Sequence, residues 1–204
     1  MAMARMAPIA ELVVATSNLG KLREFQDMLQ GFAARLIAQT EAGIVAVEET
    51  AGTFVGNALL KARHASRLTG LPALADDSGL EVDALGGRPG VYSARYAKIG
   101  ATDVENNAKL LAELQGFPGP HTARYHCAIV LVRNAEDSAP VLALGSWEGR
   151  ITSMPRGTGG FGYDPLFLVG NGSLTAAELE TGIKNRISHR AIALSRLKTL
   201  VHGA

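Results

Sequence analysis

Two adjacent acid pairs carry the first chemical signal in this chain: Glu48-Glu49 ahead of a Thr-Ala-Gly turn, and Asp76-Asp77 behind the apolar run Leu71 to Ala75. Carboxylates at the end of a buried strand are costly to desolvate unless a cation meets them. Mg²⁺ suits such a place, because it prefers oxygen ligands and often takes one or two carboxylates together with substrate phosphates. A carboxylate beside that ion can also orient a water for attack on phosphorus. Successive strand residues face opposite ways, so Asp76 and Asp77 are expected to play different parts. Cations are spaced to match these acids. The run Thr16-Ser17-Asn18-Leu19-Gly20-Lys21 lies at a strand-to-helix junction, where free N–H groups and the helix dipole favour an anion. It is not a P-loop, since Ala15 stands where Gly is required and Leu22 where Ser or Thr is required. Asn57 and Lys61, four apart, share one helix face and can reach a phosphate or the acids.

A second group of residues suits a planar ligand. Gly157, Gly159 and Gly162 form a formal G-x-G-x-x-G, but Pro155 precedes it and Tyr163-Asp164-Pro165 leads into a strand, so the dinucleotide fingerprint is rejected. Phe161 and Tyr163, flanked by glycines, fit a loop wrapped around a ring, with Phe161 for stacking and Asp164 for hydrogen bonding. His189 and Arg190 open the last predicted helix, where cations oppose the dipole. An anionic or base ligand would explain them, with Lys184 just upstream and Arg95 as a weaker candidate. Each of these motifs also has a plainer reading: a capped helix with a surface lysine, an Asx turn, core aromatics in a tight turn, solvated charges. His126 and Cys127 are adjacent in a predicted strand and face opposite ways, so they are no nucleophilic pair, and Cys127 is expected to be a buried thiol. His64, His121 and His202 show no metal-ligand spacing.

The elements that must hold these residues are legible in outline. A strand from Glu11 to Ala15 feeds a helix with Asn18 or Ser17 as N-cap and an apolar stripe at Leu22, Phe25, Leu29 and Phe32. A short strand follows around Leu36 and Ile37. A helix is predicted from near Thr53 to Leu68, stopped by Gly70 and Pro72. Leu71 to Ala75 is predicted to deliver Asp76-Asp77-Ser78-Gly79 into a turn, with Gly86 to Gly90 as loop. Thr102 to Glu105 is a capping box opening a helix to Gln115. Arg124 to Arg133 and Val141 to Gly149 read as paired strands, and Pro155 to Pro165 as loop. A last strand, Leu166 to Val169, precedes a capping box at Thr175 to Glu178. Ser188 then caps a terminal helix with Ile192, Leu197 and Leu200 inward. Helices and strands alternate, so the fold class is α/β with a mixed sheet and helices outside, in one domain over residues 1–204.

Composition narrows the function classes. The 204 residues carry 20 Lys and Arg against 19 Asp and Glu, a net charge of +1, which disfavours a grip on a nucleic-acid backbone. With 47 % hydrophobic residues the chain is too apolar for disorder. No apolar run approaches the ~18 residues of a membrane span, and Met1 to Pro8 lacks the apolar core of an export signal. One cysteine excludes a disulfide framework and suits a reducing, cytoplasmic location. Glycine is in excess, 23 residues or about 11 % where ~7 % is typical. The clusters at Gly86 to Gly90 and Gly157 to Gly162 are expected to shape a ligand cleft.

Taken in order, the segments ATSNLGK, EETAGTFVGNALLKA, LADDSGLEVDALGGRPGVYSARYA, PRGTGGFGYDPLF and KNRISHRA resemble the inosine/xanthosine triphosphate pyrophosphatase family. They span Ala15 to Ala191. The resemblance implies an elongated mixed sheet, two lobes with a central nucleotide-binding cleft, a homodimer and dependence on Mg²⁺. It implies hydrolysis of ITP, dITP and XTP, purine nucleoside triphosphates, to monophosphate and pyrophosphate. Carried over, Thr16, Ser17, Asn18, Leu19, Gly20 and Lys21 would bind the triphosphate, with Asn57 and Lys61 nearby. Glu49 and Asp77 would hold the metal, and Asp77 would accept the proton of the attacking water. Ser78 would touch substrate, and Phe161, Gly162, Tyr163, Asp164, Lys184, His189 and Arg190 would hold the base and nucleoside. One departure is Ile183, which precedes Lys184 where many members carry an acid and so bears on how Lys184 is oriented. A pyrophosphatase aimed at modified pyrimidines or at deaminated products in general, a non-catalytic nucleotide sensor and, disfavoured by the charge, a nucleic-acid-binding module are the competing expectations.

Overall fold

The computed structural model describes residues 9–202, so Met1 to Pro8, read above for the lack of an export signal, lies outside the described residues. The first strand, β1 (Ile9–Val14), runs into α1 (Leu19–Met28). Asn18 caps that helix by accepting the Lys21 N–H at 3.0 Å. The helix ends sooner than its apolar stripe, and Phe32 reaches the same core from the turn that follows. After β2 (Ala33–Ala38) comes α2 (Phe54–Thr69), opened by the Thr53 side chain on the Gly56 N–H and closed by Gly70 at φ 70°. The left-handed conformation at that stop suits glycine, which has no Cβ to clash.

Contrary to expectation, Asp76 to Gly79 do not turn. They continue β3 (Ala73–Val82) without a break. The reason is the sequence beyond the acids, where Leu80 and Val82 resume a buried alternation and the Leu80 N–H is taken by Ser93 Oγ at 2.9 Å. The turn falls instead at Asp83 to Leu85 and at Gly86 and Gly87, both left-handed. A 3₁₀ segment (Gly90–Arg95) leads to α3 (Asp103–Leu114), which has the full Thr102/Glu105 capping box. Then follow β4 (His121–Val132), β5 (Val141–Ile151) and β6 (Phe167–Val169).

The terminal helix starts just after Ser188, as expected, with a separate short helix before it. Lys184 sits in α4 (Thr181–Ile187), Ser188 is extended, and α5 (His189–His202) starts afresh. Inward positions of α5 are Ala193, Leu194, Leu197 and Val201, whereas Leu200 is 42 % exposed. The stripe follows helical spacing from Arg190, and Leu200 falls off it.

The strands form one mixed sheet in the order β2-β1-β3-β4-β5-β6, with β1 parallel to β2 and β3, and β5 antiparallel to β6. The expected α/β class is therefore observed. Two compact units divide the described residues: 9–77, 127–145 and 190–202 in the first, 78–126 and 146–189 in the second. In the first unit, alternate residues of β1 serve two cores: Leu12 and Val14 join Phe25, Leu29 and Leu194, while Val13, with Ala15 just beyond the strand, joins Ala58, Ala62 and Val130. The second unit has one core, including Leu80, Leu110, Tyr125, Trp147 and Phe167. Among the described residues no helix is long and apolar enough to cross a membrane.

Candidate active site

In the first unit, the pleat of β3 separates the two aspartates, as expected. Asp76 is 1 % exposed, and its Oδ2 receives Arg190 Nη2 at 2.8 Å, Arg190 Nε at 3.2 Å and Lys21 Nζ at 3.1 Å. Arg190, fully buried, also binds Glu24 through Nη1. Burial favours the neutral form of Asp76, but Arg190 first, then Lys21 and Lys61, outweigh it and hold the carboxyl well below the usual range. Burial would likewise lower Arg190, yet Asp76 and Glu24 hold it above its ordinary value. Cys127, 1 % exposed with Sγ 3.8 Å from Asp76, has its thiol pushed up by burial and by that carboxylate. It is the inert buried thiol expected from sequence.

Asp77 meets different partners. Its Oδ2 accepts from Asn57 Nδ2 at 3.0 Å and its Oδ1 from Lys61 Nζ at 3.1 Å. The same ammonium donates to Glu49 Oε1 at 2.5 Å. Asn57 also accepts the Ala51 N–H at 2.9 Å, tying the segment after Glu49 to α2. Of the first acid pair, Glu48 is exposed and Glu49 is the one turned toward the cluster. Burial raises Asp77, and Glu49 adds to the shift; Lys61, Lys21 and Asn57 oppose it without reversing it. Lys61 would be lowered by burial, but Asp77, Asp76 and Glu49 raise it.

Four carboxylates (Glu24, Glu49, Asp76, Asp77) thus face three cations (Lys21, Lys61, Arg190), with one negative charge in excess. Asp76 Oδ1 is buried without a hydrogen-bond partner. Glu49 and Asp77 converge on a single ammonium. These observations fit a donor set for a hard divalent cation. Among the described residues no group of three His, Cys, Asp or Glu could hold a metal alone, so the remaining oxygens would come from substrate or water. At the junction before α1, Thr16 is buried and its Oγ1 accepts the Asn18 N–H at 3.2 Å, while Ser17, Asn18 and Leu19 are exposed and Gly20 is half-buried.

The second unit holds the ring-binding candidates. Asp164, 2 % exposed, accepts Lys184 Nζ at 2.6 Å and the Phe161 N–H at 2.9 Å on Oδ2, and the Tyr125 hydroxyl at 3.3 Å on Oδ1. Lys184 Nζ also stands 4.8 Å from the centre of the Phe161 ring. The carboxylate partner of Lys184 thus comes from another segment, with Ile183 as its neighbour in the chain. His189 lies flat on Tyr125, with ring centres 4.7 Å apart and planes 10° apart, and also faces Trp147 at 6.3 Å. Tyr163, 3 % exposed, sends its hydroxyl to the Ser93 carbonyl at 2.8 Å and is a core residue. Ser78 is half-buried in β3, and Arg95 lies over the Tyr92 ring at 5.3 Å.

The close-approach expectation for glycine holds in one cluster, with a partner that sequence did not show. A Cβ on Gly157 would come within 2.6 Å of the Ala177 backbone, and one on Gly160 within 2.0 Å of Asp164 Oδ2. Gly86, Gly87 and Gly90 have open space around them and are required by their positive φ alone.

Sequence grouped Arg190 with His189, but the structure sets the guanidinium on Asp76 and Glu24. Neighbouring residues of a helix diverge by about 100°, and here the two side chains take different partners. Glu24 and Tyr125 escaped notice. Glu24 lies between Arg23 and Phe25 on α1, and its 7 % exposure has no counterpart in the sequence. Tyr125 reads as an ordinary strand aromatic.

Comparisons with known proteins place the whole chain. Residues 12–200 match the Ham1 family. A dITP/XTP pyrophosphatase of Xanthomonas oryzae pv. oryzae is 56 % identical over 193 residues, covering 94 % of this chain and 97 % of the relative. That of Shigella flexneri is 54 % identical over 188 residues, covering 92 % and 95 %. A HAM1 protein from Coxiella burnetii superposes with a TM-score of 0.87 at 48 % identity, covering 96 % of this chain and all of that one. With the family match running over residues 12–200 and relatives of more than half identity covering nearly all of it, the chain belongs to the Ham1 family.

Proposed function

We propose that this protein hydrolyses the non-standard purine nucleoside triphosphates ITP, dITP and XTP to the monophosphate and pyrophosphate, clearing them from the nucleotide pool. The observation that carries the reading is Asp77: a carboxylate with a raised pKa, held by Asn57 and Lys61 beside Glu49. Its relatives of more than half identity bear the name of that activity.

The first unit supplies the phosphate chemistry. The N–H groups at the start of α1 and the ammonium groups of Lys21 and Lys61 offset the charge of a polyphosphate. Asp77 accepts the proton of a water attacking the α-phosphorus, and its upward shift brings its basicity closer to the working pH. Asp76 is excluded from that task because Arg190 and Lys21 fix it as an anion. A Mg²⁺ held by Glu49 and Asp77 would stabilise the charge that develops on the pyrophosphate leaving group. In the second unit, Phe161 stacks on the base, while Lys184 supplies a donor for a 6-keto oxygen. Adenine, which has an amino group there, would leave that donor unpaired and be rejected. The reading extends to a homodimer, as the family resemblance implies. It also extends to a cytoplasmic location, in keeping with the single buried cysteine, and to a small-molecule rather than nucleic-acid partner at a net charge of +1.

Product analysis with ITP, dITP, XTP, GTP and ATP, with and without Mg²⁺, tests this. Monophosphate and pyrophosphate from the first three, in the presence of Mg²⁺, are expected, with little from the last two. Inorganic phosphate and a diphosphate, or no release at all, would refute it.

A further inference from the structure

Helix α3 carries none of the chemistry-bearing residues assigned so far, yet it grips the loop that does. Asp103 and Asn107, four residues apart, project from one face of the helix. Asp103 Oδ2 accepts the Gly162 N–H at 2.6 Å, and Asn107 Nδ2 donates to the Gly162 carbonyl at 3.0 Å. Both backbone groups of one residue are thereby held by one helix. That residue has φ of 63°, and it sits between Phe161 and the anchored Tyr163. The bond to Asp103 is charge-assisted, which makes it the stronger of the two.

The helix is itself well fixed. Its first turn is closed by the Thr102/Glu105 capping box. Asn106, on the neighbouring face, accepts the Ala97 N–H at 2.8 Å and donates to the Ala94 carbonyl at 3.2 Å. Leu110 and Leu114 are buried in the core of the second unit. A rigid element therefore sets the peptide that follows Phe161, while Asp164 takes the Phe161 N–H from the other side.

We propose that Asp103 and Asn107 are positioning residues that set the attitude of the Phe161 ring and so the affinity for the purine base. This rests on the reading of Phe161 as the stacking side chain. A loop ordered before the ligand arrives loses less conformational freedom on binding. Releasing it therefore weakens binding, and the acids of the first unit, which do the chemistry, are untouched. The expected signature is a raised KM with an unchanged kcat.

The test compares Asp103→Ala, Asp103→Asn and Asn107→Ala with the wild type, reading kcat and KM for dITP and, by calorimetry, Kd for dITP. Emission from Trp147, the single tryptophan and a member of the core of the second unit, reports folding. Loss of one such hydrogen bond is expected to raise KM and Kd about five- to tenfold in Asp103→Ala. Asp103→Asn keeps an acceptor for the Gly162 N–H and loses only the charge, so it is expected to recover most of that loss. Asn107→Ala carries the same prediction from the other side of the peptide if Asp103→Ala does not keep the native Trp147 emission. Wild-type KM and Kd in the alanine variants would overturn the proposal. So would equal impairment in Asp103→Asn and Asp103→Ala, which would assign the effect to charge at the helix start. A wild type that binds dITP without turning it over refutes the pyrophosphatase reading, and the Kd series still decides the clamp.

Discussion

The two units of this protein order their polar groups by different physics. In the first, four carboxylates and three cations are packed into ion pairs, and the partition of partners gives two neighbouring aspartates opposite characters. Asp76 is pinned as an anion, whereas Asp77 is left reluctant to ionise. In the second, one aspartate that accepts from Lys184, Tyr125 and the Phe161 N–H fixes Lys184 and a glycine loop, and flat ring contacts hold His189. Charge balance governs the first region, shape the second. The difference teaches that substitutions in the first should act through unpaired charge, and those in the second through misplaced backbone.

The largest stability effect is expected from Arg190→Met. It removes the buried guanidinium shared by Asp76 and Glu24 and leaves Asp76 to Lys21, which costs about 3–5 kcal/mol. The sign with pH follows. A carboxylate whose pKa is depressed on folding contributes stability above its ordinary pKa, and that stability is lost as pH falls through the folded value. The Arg190→Met deficit in urea unfolding should therefore be full at neutral pH and shrink on acidification. A variant as stable as wild type at pH 7 would break the comparison.

A smaller effect separates two kinds of glycine. Gly160→Ala forces a Cβ into Asp164 Oδ2 and a left-handed backbone besides, so it should cost roughly 2–4 kcal/mol and weaken nucleotide binding. Gly86→Ala meets open space and carries only the left-handed penalty, about 1 kcal/mol. Thermal unfolding of the pair sharpens the distinction, and equal losses would remove it.

Much of the scaffold was legible because its signals are local. Asn18, Thr53 and Thr102 cap the helices expected of them, and Gly70 stops α2. The failures are tertiary. Nothing near Asp76 to Gly79 tells a turn from a strand whose polar centre is neutralised by Arg190 and Lys61 from distant segments. The site divided the same way. Residue types and family resemblance singled out Glu49, Asp77 and Lys61, which the fold joins on one ammonium. Arg190's bond to Glu24 spans 166 residues, and the hold of α3 on Gly162 spans more than fifty. Neither leaves a trace in local spacing. The glycine excess, expected to shape a pocket, serves in one cluster to let the chain approach itself and in the other to make a turn.

The central claim is that Asp77 moves the proton while Asp76 is held as a fixed anion. Turnover of dITP by Asp77→Asn at saturating Mg²⁺, measured beside its thermal stability, tests it most directly. With dITP binding measured alongside, kcat is expected to fall by about 10²- to 10⁴-fold while dITP still binds and the variant stays folded. Near wild-type turnover in the folded variant would contradict the role of Asp77.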